Sequence, residues 1–181
     1  MRSLVQYVAI AAFALVGAST AQAQTATQDI NITATVVKTC TVNNVAVGSP
    51  VGTATIPITA AGAVNTAAIT PTGSPFANVA CNAPSNLQLT SLSGAVVNPA
   101  AAVGGFSKII DYTASATWGG STATVNTSTV ATAIAAESGT AVAIAAANSG
   151  NLSVTITPIA NVLPLLVGTY TDTLRVTLIP Q

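Results

Sequence analysis

The stretch Asp29–Val37 reads D-I-N-I-T-A-T-V-V. Ile30, Ile32, Ala34 and Val36 fall on one parity, and Asn31, Thr33 and Thr35 on the other. Strict alternation of apolar and polar residues predicts a half-buried β-strand, because successive side chains point to opposite faces. Cys40 follows three residues later. The strand stands at the start of the expected mature chain, so nothing before it pairs with it. A long apolar edge at a free terminus recruits other chains through its unpaired backbone groups. Either it folds back onto its own domain, or recruiting another chain is its role.

Working outward to the N-terminal side, Arg2 supplies a positive region and Leu4–Val16 an apolar run of the length found in export signals. Ala21-Gln22-Ala23 is a small-x-small cleavage site, which predicts a signal peptide over residues 1–23 and a mature chain from Gln24. The apolar run falls short of the ~20 residues a spanning helix needs. Thr, Ser, Asn and Gly interrupt every later one. Residues 24–181 have the length of one domain with a real core.

The mature chain carries Lys38, Lys108 and Arg175 against Asp29, Asp111, Glu137 and Asp172, a net charge of −1. A nucleic-acid or anionic-membrane surface needs a basic patch, and the sequence has none. With only 4% charged residues and 50% hydrophobic ones, the exposed faces must be mostly Thr, Ser and Asn. This composition suits a protein that lives packed in an assembly.

Cys40 and Cys81 are the two cysteines. An even count in an exported chain points to a disulfide, and closing a loop of about 40 residues would stabilise the fold by roughly 4 kcal/mol. Free or metal-binding thiols are the alternative, but no His and no further Cys exist to complete a metal site.

β-branched and small polar residues dominate, and turn signals recur every ten or so residues, which predicts an all-β sandwich or barrel. Residues 30–47 read as one or two strands around Cys40. Val51–Ile58 and Ala63–Thr70 are weaker, punctuated by Pro50, Pro57, Pro71 and Pro75. Phe76–Cys81 and Asn86–Leu92 follow. Ile109–Trp118 alternates cleanly, with Ile110, Tyr112, Ala114, Ala116 and Trp118 on one face. Gly119-Gly120 is a hairpin signal, with Ser121–Ser128 as the return strand. Residues 129–148 admit two readings. The Ala-rich run Val130–Glu137 has helical propensity but is too short to be stable alone and carries β-branched residues. It reads as a loop followed by the strand Thr140–Ala146, with Asn151–Pro158 as a further strand. After a Pro-containing connection, Gly168–Pro180 is the last strand, with Tyr170, Leu174, Val176 and Leu178 on one parity. Asp172 breaks that face. It requires either a bulge or a place beyond the core, since a lone buried carboxylate is costly.

The absence of His rules out Ser-His-Asp and Cys-His catalysis. A Ser-Lys dyad has no supporting motif. The acids are widely spaced, with no pattern of a glycosidase pair, and the glycine pairs lack the Lys and helix of a phosphate loop. Three glycosylation sequons, at Asn31, Asn126 and Asn151, read mostly as chance matches in so Asn/Thr/Ser-rich a chain. Trp118 and Tyr112 fit a carbohydrate platform less well than core positions on an alternating strand. The reading is of a non-enzyme with no catalytic residues, cofactor or metal.

The alternating segment with Thr39-Cys40-Thr41-Val42, then Asn78-Val79-Ala80-Cys81, then Gly168-Thr169-Tyr170-Thr171-Asp172-Thr173-Leu174 with Val176 and Leu178, resembles the spore coat protein U-like domain. That family includes the major subunits of archaic chaperone–usher pili. The resemblance spans the mature chain, and its Gly-x-Tyr-x-Asp-Thr-Leu ending is the most specific part; residues 95–150 match only in strand rhythm. It implies an incomplete immunoglobulin-like β-sandwich lacking its last strand, with a donor extension over residues 24–38 and a pilin domain over 39–181. It implies a donor strand plugging through Ile30, Ile32, Ala34 and Val36. Tyr170, Leu174, Val176 and Leu178 would wall the acceptor groove, and Cys40 and Cys81 would form the pilin disulfide.

The implied partners are other copies of the chain in a fibre, a periplasmic chaperone and an outer-membrane usher, with no nucleic acid. The implied location is a cell-surface fimbrium reached through the periplasm, supporting adhesion and biofilm formation. A secreted coat or matrix protein of the same fold is the alternative function. Burying Ile30, Ile32 and Val36 at ~1.5–3 kcal/mol each would give an upper estimate of roughly 5–9 kcal/mol.

Overall fold

The computed structural model describes residues 30–43, 52–72, 76–129 and 135–181. The predicted signal peptide, Gln24–Asp29, the part of the first strand prediction beyond Asn43 and most of the Ala-rich run after Thr129 lie outside the described residues. The chain divides into two units, Met1–Thr35 and Val36–Gln181. In the first, the described residues 30–35 are exposed and belong to no strand.

The second unit is all-β. Its strands are β1 (Cys40–Thr41), β2 (Val79–Cys81), β3 (Ser85–Ser91), β4 (Val96–Val97), β5 (Ile109–Ile110), β6 (Tyr112–Trp118), β7 (Ser121–Asn126), β8 (Glu137–Ser138), β9 (Val142–Ile144), β10 (Asn148–Gly150), β11 (Ser153–Pro158) and β12 (Leu174–Pro180). A 3-10 turn, Thr127–Thr129, follows β7. Every strand pair is antiparallel. β11-β6-β7 form one sheet, and β12-β3 with β8 and β9 form another. β1-β2-β10 and β4-β5 are smaller sheets.

The long strands form where alternation is strict. In β6, Tyr112, Ala114, Ala116 and Trp118 are all buried, and the residues between them face outward. Gly119 and Gly120 then adopt φ of 58° and 77°. Two successive positive φ values make the two-residue turn whose twist matches a hairpin, and side chains disfavour both. β7 returns in register, from Trp118 opposite Ser121 to Thr113 opposite Asn126. β3 buries Leu87 and Leu89 completely. These leucines meet Ala114, Ala116, Trp118, Ala123, Val125 and Val154 in one core. The two larger sheets therefore share a single apolar layer, an arrangement consistent with a β-sandwich.

Cys40 stands directly opposite Cys81 in the β1–β2 pair, and the two form a disulfide. Trp118 and Tyr112 are each 2% exposed, and the Trp118 indole N–H donates to Gly150 O at 3.3 Å. They are core residues, not a surface platform.

Three strand expectations need correction. Around Cys40 the described strand is only Cys40–Thr41, because Ile30–Thr39 lies in no ladder. Alternation supplies a sheet face but no partner for the backbone. Of Val51–Ile58 and Ala63–Thr70, the described residues contribute only the isolated bridges Ile58–Val64 and Ile69–Ile156. The last strand begins at Leu174, not Gly168. The reason lies in Asp172.

Candidate functional site

β12 is a seven-residue strand that, among the described residues, is hydrogen-bonded to one strand, β3. In an antiparallel pair, alternate residues turn both backbone groups away from the partner. Among the described residues no second strand takes them up. The register places Leu178 opposite Leu87, Val176 opposite Leu89 and Leu174 opposite Ser91, so Leu174, Val176 and Leu178 share the core-facing side of the sheet. Their neighbours Leu87 and Leu89 are 0% exposed. Leu174, Val176 and Leu178 are only partly buried. Cys40 and Val42 pack against the same core. The apolar layer is thus closed over β3 and left half-covered along β12.

The hydroxyl of Ser85, paired in register with Pro180, is buried with no hydrogen-bond partner among the described residues. Buried polar groups are normally satisfied, and this one, on a strand paired on both sides, is an exception.

Both ends of β12 are pinned. At the Pro180 end, Gln181 N–H donates to Pro84 O at 2.8 Å. At the Leu174 end, the Asp172 carboxylate accepts four hydrogen bonds: from Ser91 Oγ at 2.6 Å, Tyr112 Oη at 2.5 Å, Ser93 N–H at 2.9 Å and Thr173 N–H at 2.7 Å. The carboxylate therefore lies before the strand and is not alone. It ties the end of β3, the start of β6 and the start of β12 into one node. Burial, reinforced by the hydrogen bond to Asp172, pushes the Tyr112 phenol well above its ordinary pKa.

The rest of the Gly-x-Tyr-x-Asp-Thr-Leu motif fastens the approach to this node. Thr171 exchanges two backbone hydrogen bonds with Val97, at 3.0 and 3.1 Å. Tyr170 Oη lies 2.8 Å from both Ser107 O and Leu166 O. Tyr170 consequently sits on a connection, four residues before β12, while Leu174, Val176 and Leu178 are on the strand. Parity alone carried Tyr170 into the groove wall. The Asp172 node interrupts the ladder between them.

The predicted donor residues are all open to solvent. Ile30 is 83% exposed, Ile32 90% and Val36 80%, and Ala34 is exposed too. The root of the segment is held in the second unit by Asn82. Its side chain donates to Val37 O and accepts from Thr39 N–H, each at 2.8 Å, and its backbone N–H donates to Thr39 O at 3.1 Å. Sequence reasoning missed Asn82; its place directly after Cys81 was the available signal. Among the described residues, no group of three His, Cys, Asp or Glu side chains gathers as a metal site, and no helix is long and apolar enough to cross a membrane.

Neither family models nor curated proteins nor solved structures yield a match to this chain.

Proposed function

We propose that the protein is the structural subunit of a surface fibre, polymerising when the N-terminal segment of one copy adds as a strand to β12 of the next. The observation that carries this reading is the edge strand itself: seven residues whose core-facing side chains Leu174, Val176 and Leu178 stay partly exposed beside the fully buried Leu87 and Leu89. An added strand supplies backbone hydrogen bonds along the free edge and side chains for the uncovered face. Ile30–Val36 has the matching length of seven residues. It offers four plugs, Ile30, Ile32, Ala34 and Val36, to four core-side positions, Leu174, Val176, Leu178 and Pro180. Ala34 is the weakest plug. Head-to-tail addition of this kind does not close on itself, so it generates a filament.

The sandwich is on this reading immunoglobulin-like and lacks its final strand. Residues 1–23 direct export, a periplasmic chaperone occupies the open edge until an outer-membrane usher exchanges it for the next subunit, and the fibre serves adhesion and biofilm formation. The test is deletion of residues 24–36 in cells producing the chain with its chaperone and usher. The truncated subunit should co-purify with the chaperone and fail to extend fibres in negative-stain micrographs. Undiminished fibre growth by the truncation refutes strand donation.

A further inference from the structure

At the Leu174 end of the sheets, three connections meet. The turn between Ile58 and Val64, the connection from β4 to β5 and the connection from β11 to β12 are tied by a dense set of hydrogen bonds. Leu165 N–H donates to Gly62 O at 3.0 Å, Ser107 N–H to Pro164 O at 2.9 Å and Leu166 N–H to Ser107 O at 2.8 Å. Asn161 accepts from Val64 N–H at 2.8 Å and donates to Gly62 O at 3.2 Å. Tyr170 closes the set against Ser107 and Leu166. Loops held this way are preorganised, yet they expose apolar side chains: Val103 at 49%, Phe106 at 47%, Leu163 at 45%, Val162 at 99% and Val167 at 91%. Apolar side chains exposed on loops that are fixed in place in this way are suited to an interaction surface.

The position of the tip identifies its occupant. The donor segment leaves the second unit at Val37–Thr39, where Asn82 holds it. Asn82 lies between Cys81 and Ser85, and Ser85 pairs with Pro180. The root is therefore at the Pro180 end, and the tip is at the Leu174 end, a strand length of about 20 Å away. Suppose a donor ran parallel to β12. Its root would then meet the Pro180 end, where the acceptor's own root, Asn82 and the disulfide already sit. Running antiparallel, it enters at Leu174 with Val36 leading back to its own domain and Ile30 reaching toward Pro180. The donor's domain then stands over the apolar tip.

We propose that the tip formed by Val103, Phe106, Val162, Leu163 and Val167 is the seat for the domain of a second copy of this chain, set there by a donor strand antiparallel to β12. The inference rests on the strand-donation reading. Seating gives the fibre a fixed angle between subunits, where strand addition alone joins the two domains only through the backbone between Val36 and the Asn82-held root.

The test uses fibres assembled from the full chain and from the double variant Val162→Asp, Val167→Asp. Both side chains are almost fully exposed, so the fold of the subunit, read by Trp118 fluorescence, should not change. Strand donation is read by the ladder of detergent-resistant multimers, and seating by the persistence length of fibres in micrographs. The expected result is an unchanged ladder and a severalfold fall in persistence length. Variant fibres as stiff as the parent overturn the seat. Unchanged stiffness together with lost binding to phosphatidylcholine vesicles overturns it in favour of a lipid-facing tip. If the parent chain gives no detergent-resistant ladder, strand donation itself fails, and the seat with it.

Discussion

Replacing Asp172 by alanine removes the acceptor for four hydrogen bonds at once, two of them from side chains that are almost wholly buried. Ser91 is 0% exposed and Tyr112 2%. Their hydroxyls stand 2.6 and 2.5 Å from one carboxylate oxygen, while Ser93 and Thr173 N–H share the other at 2.9 and 2.7 Å. Stranding a buried hydroxyl costs about 1–3 kcal/mol. Asp172 is itself only partly buried, so water can reach the two amides but not easily both hydroxyls. The expected loss for Asp172→Ala is about 3 kcal/mol, a large share of the ~5–15 kcal/mol by which domains are stable.

Asp172→Asn keeps an oxygen for Ser93 and Thr173, and its NH2 can donate to the hydroxyl oxygens of Ser91 and Tyr112, each of which accepts as well as donates. That variant should lose only about 1 kcal/mol. The assay is urea unfolding with the disulfide intact, read by the fluorescence of Trp118, the chain's single Trp. Midpoints should fall in the order parent, Asn, Ala at unchanged slope. An alanine variant within about 0.5 kcal/mol of the parent, or an asparagine variant as damaged as the alanine one, would show that the node does not hold the start of β12.

Three further outcomes follow from other sites. Cys40→Ser with Cys81→Ser, or reduction of the bond, should lower stability by about 4 kcal/mol through the freed unfolded chain, measured by the same titration. Tyr112 has its pKa raised in the folded state, so its contribution is fully present below the ordinary phenol value of about 10 and is lost as pH rises above it; melting in alkaline buffer should show a decline in the parent that Tyr112→Phe lessens. Gly168 has φ +144°, and an added Cβ would lie 2.5 Å from Asn98 Nδ2, on a side chain that is 2% exposed and held by its bonds to Val167 O and Ala100 N–H. Gly168→Ala should therefore cost about 1–3 kcal/mol, read as a lower thermal midpoint.

The elements legible in the sequence are those whose alternation coincides with two satisfied demands, a covered face and a paired edge. β6 and β7 meet both, and Gly119-Gly120 fixes their register, so strand, face and turn all follow from residue type. β3 and β11 behave likewise. The short strands β4, β8 and β10 were not legible. Two or three residues carry no period, and Asn148–Gly150 pairs with β2 only because the chain brings it there. Within the predicted last strand, the parity set ran back through Asp172 to Tyr170. Sequence could pose the problem of a carboxylate on an apolar face, but its solution needed Ser91, Ser93 and Tyr112, which lie sixty to eighty-one positions away.

The same two demands explain why Ile30–Val37 alternates without being a strand. Its apolar parity asks for a core, and its backbone for a neighbour. Ile30, Ile32 and Val36 have neither. β12 presents the complementary deficit, a backbone paired on one side only among the described residues and an apolar face that is only partly buried. An edge like this is a hazard unless it is blunted by charge, proline or a bulge. Arg175 is the only charge on β12, and Pro180 stands at its last position. The edge is instead held straight: Asp172 pins one end and the Gln181–Pro84 bond the other. A strand pinned at both ends and open along its length offers an incoming partner its hydrogen bonds without first having to be ordered, so binding keeps the entropy that a loose edge would lose on docking. Under the proposed strand donation, the stability of the Asp172 node and the capacity to accept a strand are one property, and Asp172→Ala should weaken fibre assembly by more than its loss of subunit stability alone would account for.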